Sequence, residues 1–160
     1  MCGIAGLIHR GKSTNVGGQM QNMLQSLKHR GPDSTGYALY GDRNSNEYIL
    51  RFKVGENVKE GSSAQIEDVS VYEKRKKQVN LEIKNLGAEI VEEKKITPYS
   101  FRYLINTDDD LLDLAQKIES VEMTEILSLG KSLELVKDIG DANVVAKQYG
   151  LSNFNGTHGI

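Results

Sequence analysis

The feature that most constrains this chain is the order of its apolar patterns between Ser70 and Ile139. Tyr72, Val79, Ile83 and Leu86 fall on one face of a helix that Gly87 is placed to end. Short apolar runs come next at Glu89–Ile96 and Ser100–Asn106, the lengths of strands. Asp108–Asp110 leads into Leu111, Leu114, Ala115 and Ile118, a second amphipathic helix. Val121–Leu129 and Ser132–Ile139 then read as a hairpin about Gly130-Lys131. Helix-strand-strand-helix-strand-strand predicts a small α+β, ferredoxin-like subdomain on an antiparallel sheet. Ser70 and Glu73 have the spacing of a capping box for its first helix.

The flanking segments read differently. Gly3–Ile8 is a short apolar run and predicts a buried strand, followed by a polar, glycine-rich loop through Gly18. Met20, Met23, Leu24 and Leu27 predict a helix face. HRGPDSTG, residues 29–36, carries dense turn chemistry, with Pro32 setting φ and Asp33 and Ser34 able to bond nearby backbone. Tyr37–Tyr40 and Glu47–Val54 read as strands joined by the turn GDRNSN. Asp141 is placed to cap a last helix with Val144, Val145 and Tyr149 apolar and Gly150 after it. The expected organisation is an amino-terminal part at 1–55, an insertion at 56–140 with GENVKEGSSAQ (55–65) as boundary loop, and a return at 141–160.

Composition narrows the function classes. The formal net charge is −2, with 26% charged and 38% hydrophobic residues, so no electrostatic argument points to nucleic acid or an anionic membrane. A single cysteine excludes an internal disulfide and fits a reducing, cytoplasmic setting. Residues 1–20 lack a secretory apolar region, and no apolar run has membrane-spanning length. His9, His29 and His158 are scattered without ligand spacing, so no metal site is expected. Asp108–Asp110 is explained by helix capping, and EKRKK (73–77) by a solvated helix face.

Two functional readings meet at the amino terminus, MCGIAGLIHRGKS. GLIHRGKS (6–13) satisfies the phosphate-loop pattern G-x-x-x-x-G-K-S. That chemistry needs a helix starting at Lys-Ser, yet STNVGG is found there, and two glycines cost about 2 kcal/mol in a helix interior. The match is therefore expected to be accidental. Removal of Met1 would instead give Cys2 both a thiol and a free α-amine. With a pKa near ~8, that amine can take the thiol proton at neutral pH, so one residue supplies nucleophile and base. Gly3 beside it admits close approach of a ligand. The structural alternative is that Cys2 is simply buried in the strand.

MCGIAG (1–6) together with HRGPDSTG (29–36) resembles the start of the class II glutamine amidotransferases, which are amino-terminal-nucleophile hydrolases. DANVVAKQYGL (141–151) before GTHGI (156–160) is most similar to the glutaminase subunit or domain of glutamate-synthase-like enzymes. The resemblance implies a four-layer α/β/β/α sandwich, present here in part, with the ferredoxin-like subdomain inserted. It implies that Cys2 attacks the side-chain amide of glutamine, releases ammonia, and leaves a thioester that water hydrolyses to glutamate. Arg30 matches the arginine of the family's R-G-x-D-S motif, and Gly31, Asp33, Ser34 and Gly36 match the positions that shape that turn. The ammonia would pass to a glutamate-synthase-like partner, which can carry FMN and an iron–sulfur cluster; this chain is expected to hold no cofactor.

The family's arginine for the substrate carboxylate, its oxyanion Asn-Gly pair and its aspartate for the α-amine would come after His158-Gly159-Ile160. Asn155-Gly156 lies upstream of them and does not take the oxyanion role. The expectation is thus an amino-terminal piece of a longer enzyme, inactive alone. The other class of function is a non-catalytic regulatory or docking module that binds an amino acid or partner subunit through residues 56–140.

Overall fold

The computed structural model describes residues 2–31, 33–42, 46–56 and 68–160. Its elements in chain order are β1 (Leu7–Ile8), β2 (Thr14–Asn15), α1 (Val16–Ser26), β3 (Ser34–Tyr40) and β4 (Tyr48–Lys53). They continue as α2 (Val69–Asn85), β5 (Glu89–Lys95), β6 (Ser100–Asn106), α3 (Leu111–Glu119), β7 (Glu125–Gly130), β8 (Leu133–Ile139), α4 (Ala142–Tyr149), β9 (Asn155–Gly156) and β10 (His158–Gly159). The protein is mixed α and β with antiparallel sheets, and it forms two compact units. One joins Met1–Arg43 to Ser132–Ile160; the other is Asn44–Lys131.

In the Asn44–Lys131 unit the elements run β4-α2-β5-β6-α3-β7, and the sheet order is β5-β6-β4-β7 with every neighbour antiparallel. That is the split βαβ, ferredoxin-like arrangement. Alternate residues of the two central strands, Leu50 and Phe52 with Phe101, Tyr103 and Ile105, meet Val79 and Ile83 of α2 and Leu114 and Ile118 of α3 in one buried core. Each such side chain contributes on the order of 1.5–3 kcal/mol of burial. Phe52 stacks on Phe101 and meets Tyr103 edge-on, at centroid distances of 5.3 and 5.0 Å.

Both helices of this unit start on an aspartate. Asp110 Oδ1 accepts from Leu112 N at 2.7 Å and Asp113 N at 3.3 Å, which satisfies amides that a helix start leaves without partners. In α2 the cap is Asp68, whose Oδ1 accepts from Ser70 N at 2.8 Å. The Ser70–Glu73 capping box is therefore not formed: Ser70 is already helical, and Glu73 pairs with Lys95 at 2.5 Å. Gly87 at φ +73° ends the helical segment as expected, because it adopts the left-handed region without a Cβ clash.

The strand pairings correct the sequence reading in two places. β7 and β8 flank Gly130-Lys131 but do not pair; β7 joins β4, and β8 joins β3 over its whole length. Likewise β3 and β4 are consecutive in the chain yet belong to different sheets, and residues 43–45 of the expected turn between them lie outside the described residues. The ferredoxin-like sheet thus takes β4 as its first strand and leaves β8 out. Most of the expected boundary loop, 57–65, also lies outside the described residues.

The unit that carries the amino terminus has a four-stranded antiparallel sheet, β1-β10-β3-β8, and a two-stranded ribbon, β2-β9. Only Leu7–Ile8 of the predicted strand Gly3–Ile8 is strand, and the segment is not buried. Ile4 is 84% and Ile8 77% exposed, because alternate residues point away from this unit's core. Gly17 and Gly18, expected in a loop, form the first turn of α1 behind the Asn15 cap. Close packing explains the exception to helix propensity: a Cβ on Gly17 would sit 1.9 Å from the Leu151 carbonyl oxygen. Met20 on α1 is buried while Met23 is exposed, and on α4 Val145 and Tyr149 are buried while Val144 is exposed. Among the described residues, no helix is long and apolar enough to cross a membrane.

Candidate functional site

The route from α1 to β3 builds the site. Asn15 Oδ1 accepts from Gly18 N at 2.9 Å and starts α1, which ends at Ser26. One turn of 3-10 helix, Lys28–Arg30, comes next, with Arg30 N bonded to Leu27 O at 2.9 Å and Gly31 N to Lys28 O at 3.2 Å. The chain then turns into β3 at Ser34, three residues earlier than the sequence suggests. Pro32 of the motif lies outside the described residues. β3 is held by a seven-residue register against β8, from Ser34 opposite Ile139 to Tyr40 opposite Leu133.

Against this turn lies the amino-terminal segment. A Cβ built on Gly3 would meet Leu27 Cβ at 3.4 Å and Arg30 Cβ at 3.6 Å, so residue 3 sits beside the 3-10 turn. Cys2 is a free, exposed cysteine and is not the buried strand residue that the structural alternative required. It borders a cleft of ≈ 300 Å³ whose lining also includes Arg30, Gly31, Asp33, Ser34 and Gly36. Residues 28 positions apart in the chain are thereby gathered around one space. Leu24 and Leu27 give the cleft an apolar patch.

Three further lining residues were not singled out from the sequence: Lys28, Thr35 and Ala142. Lys28 and Arg30 bring two cations to the cleft and Asp33 one carboxylate, which suits the handling of developing negative charge. The motif's own spacing signalled Arg30 and Asp33, whereas Ala142 arrives from α4, more than a hundred residues on. Its only sequence signal is the cap that precedes it. The Asp141 carboxyl is held below the usual carboxylate range by the Val144 N–H, then by Gln25, with a smaller contribution from Lys28.

The α4 corner is tied to the start of β3 by several hydrogen bonds. Gly140 N donates to Asp33 O at 3.0 Å, and Thr35 Oγ1 donates to Gly140 O at 2.9 Å. Tyr37 Oη donates to Ala142 O at 2.7 Å. Burial, with the nearby Asp141 charge, pushes the Tyr37 phenol up to about 12.

The remaining candidates lie elsewhere. The phosphate-loop pattern contains β1 at Leu7–Ile8, and α1 begins at Val16 rather than at Lys12-Ser13. Asn155 and Gly156 pair with Asn15 and Thr14 in the ribbon and do not line the Cys2 cleft. His9 Nε2 is 2.8 Å from Gln19 Oε1, and His158 stacks on Tyr40 at 4.0 Å. Among the described residues no three metal-binding side chains are gathered to hold an ion.

No family model matches the chain. Over 165 aligned residues, which take in all of this chain, it is 32% identical to a protein of Methanothermobacter thermautotrophicus named "Putative glutamine amidotransferase". The chain spans about half the length of that relative.

Proposed function

We propose that this chain supplies the nucleophile of a class II glutamine amidotransferase. The observation that carries the reading is the gathering of Cys2, Arg30, Gly31, Asp33 and Ser34 around one open cleft. With Met1 removed, the α-amine of Cys2 accepts the thiol proton as Sγ attacks the side-chain amide carbon of glutamine. The tetrahedral intermediate collapses by breaking the C–N bond, and the proton leaves with ammonia. Water then attacks the γ-glutamyl thioester, the C–S bond breaks, and glutamate departs with the thiol restored. Arg30 supports the nucleophile's end of the site, while Gly31, Asp33 and Ser34 shape the turn that carries it.

The finer readings also belong to this proposal. The unit carrying Cys2 is part of an amino-terminal-nucleophile hydrolase sandwich, into which the Asn44–Lys131 unit is inserted. The ammonia goes to a glutamate-synthase-like partner, and a reducing cytoplasm keeps the Cys2 thiol available.

The test is an intact mass of the purified chain before and after incubation with 6-diazo-5-oxo-L-norleucine, an electrophilic glutamine analogue. Loss of Met1 and one adduct on Cys2, abolished in Cys2→Ala, would uphold the reading and overturn the expectation that the chain is inactive alone. Retention of Met1 would remove the base and overturn the mechanism. A processed chain that takes no adduct would overturn its competence to bind glutamine.

A further inference from the structure

We propose that Gln25, on α1, is a positioning residue for the Cys2 cleft. The inference rests on the reading of Cys2 as nucleophile. Both ends of the Gln25 amide are used on one corner: Nε2 donates to Asp141 Oδ2 at 3.3 Å, and Oε1 accepts from Asn143 N at 3.1 Å. The other oxygen of Asp141 caps α4 through Val144 N at 3.1 Å. Gln25 thus grips the first residues of α4 on either side of Ala142, the residue that lines the cleft.

The corner is stiff on its other side as well. Gly140 turns at φ +125°, where a Cβ would meet Val144 Cγ1 at 2.9 Å. Its amide and carbonyl bond Asp33 and Thr35, and the carbonyl of Ala142 bonds Tyr37. Asp33 and Thr35 line the cleft themselves. A continuous path of hydrogen bonds therefore runs from α1 through Gln25 to the α4 corner and on to the start of β3. Leu24, Leu27 and Lys28, which flank Gln25 on α1 and just after it, line the same cleft. Gln21, one turn earlier, adds a bond from Nε2 to Asn143 Oδ1 at 2.8 Å.

A glutamine is needed because the corner asks for a donor and an acceptor at once. Glutamate at this position keeps the size, loses the donor, and sets a second carboxylate against Asp141. Gln25 touches no reacting atom in this scheme. Its effect is transmitted through the placement of Ala142, Asp33 and Thr35.

Gln25→Glu and Gln25→Ala in the full chain test this. The sole cysteine lets two reagents be compared: iodoacetamide, which reads thiol accessibility, and 6-diazo-5-oxo-L-norleucine, which also reads cleft geometry. Because a displacement near 1 Å can cost on the order of a hundredfold, the analogue should react about tenfold or more slowly in both variants. The iodoacetamide rate should stay within about twofold of wild type, since exposure of the thiol is unchanged. Hydrogen exchange should show faster exchange at Gly140, Val144 and Val145 and in β3, and little change in Asn44–Lys131. An analogue rate that falls only in step with the iodoacetamide rate, or not at all, would overturn the proposal. If the wild-type chain shows no preference for the analogue, its competence to bind glutamine fails, and exchange decides the positioning role. Faster exchange confined to the corner and β3 upholds it; unchanged or chain-wide exchange rejects it.

Discussion

The two units of this protein are stabilised in different ways. Asn44–Lys131 encloses a core dense in large side chains, with Phe52, Phe101, Tyr103, Leu114 and Ile118 all shielded from solvent. The unit that carries Cys2 also buries apolar side chains, among them Met20, Tyr37, Leu39 and Leu151, and adds backbone approaching backbone at glycines and polar side chains that bond a helix corner to a strand. Gly17 faces Leu151 O, and Gly156 faces Tyr40 O, where a Cβ would lie only 2.2 Å away. An apolar core spreads its stabilisation over many weak contacts. Close backbone contacts and directed hydrogen bonds concentrate it in a few places, but they hold atoms at defined positions. The candidate site stands in the unit of the second kind, where position matters more than the amount of buried area.

This contrast can be tested from the largest expected effect downward. Phe52→Ala should lower the stability of the Asn44–Lys131 unit by about 3–5 kcal/mol, the cost of emptying a packed aromatic site. Urea unfolding monitored by far-ultraviolet circular dichroism measures it, and a loss below about 1 kcal/mol would break the contrast. Gly17→Ala should cost on the order of 3 kcal/mol although it adds a single methyl group, because the obstructing atom is backbone and cannot rotate away. Gly130→Ala is the matched control in the other unit, with nothing within 4 Å of the added atom, and should change stability by about 0.5 kcal/mol or less. Equal effects of the two alanines would show that close approach is not what holds the first unit.

The last effect concerns pH. The Tyr37 phenol is raised to about 12 in the fold. A raised value means that the unfolded chain loses this proton first, near pH ~10, so stability is full below that and falls as pH rises toward the folded value. That rise corresponds to about 2–3 kcal/mol. Tyr37→Phe should remove that alkaline slope at the cost of about 1 kcal/mol for the bond to Ala142 O. Tyr103 in the other unit is also raised, chiefly by burial, and should leave a residual slope in the variant. An identical alkaline profile in wild type and Tyr37→Phe would contradict the assignment.

Elements that declare themselves locally were legible in the sequence. Asp110 and Asp141 cap α3 and α4, Gly87 and Gly150 end α2 and α4 with positive φ, and β6 has the bounds its apolar run suggested. The core face of α2 was legible from spacing alone, since a 3.6-residue period puts Tyr72, Val79 and Ile83 on one side. Strand partners were not. Gly130-Lys131 between two apolar runs has the look of a hairpin, yet the strands on either side pair elsewhere. A glycine admits a turn without dictating where the next strand goes, and a strand's partner is chosen by distant chain. The site divides in the same way. Cys2, Arg30, Asp33 and Ser34 are carried by two short motifs, while Ala142 and Gln25 lie outside both.

By itself, then, the sequence determined where α3 and α4 start, where α2 and α4 stop, and that a single cysteine stands between Met1 and a glycine. These are consequences of side-chain periodicity, of capping oxygens within three residues of the amides they satisfy, and of covalent order. Only the tertiary structure decided that β4 rather than β8 completes the ferredoxin-like sheet, that two adjacent glycines begin a helix, and that Ala142 meets the HRGPDSTG turn. Each of those outcomes depends on an approach between residues far apart in the chain. Pairing, close contact and the walls of a cleft are decided there, because their energy exists only once both partners have arrived.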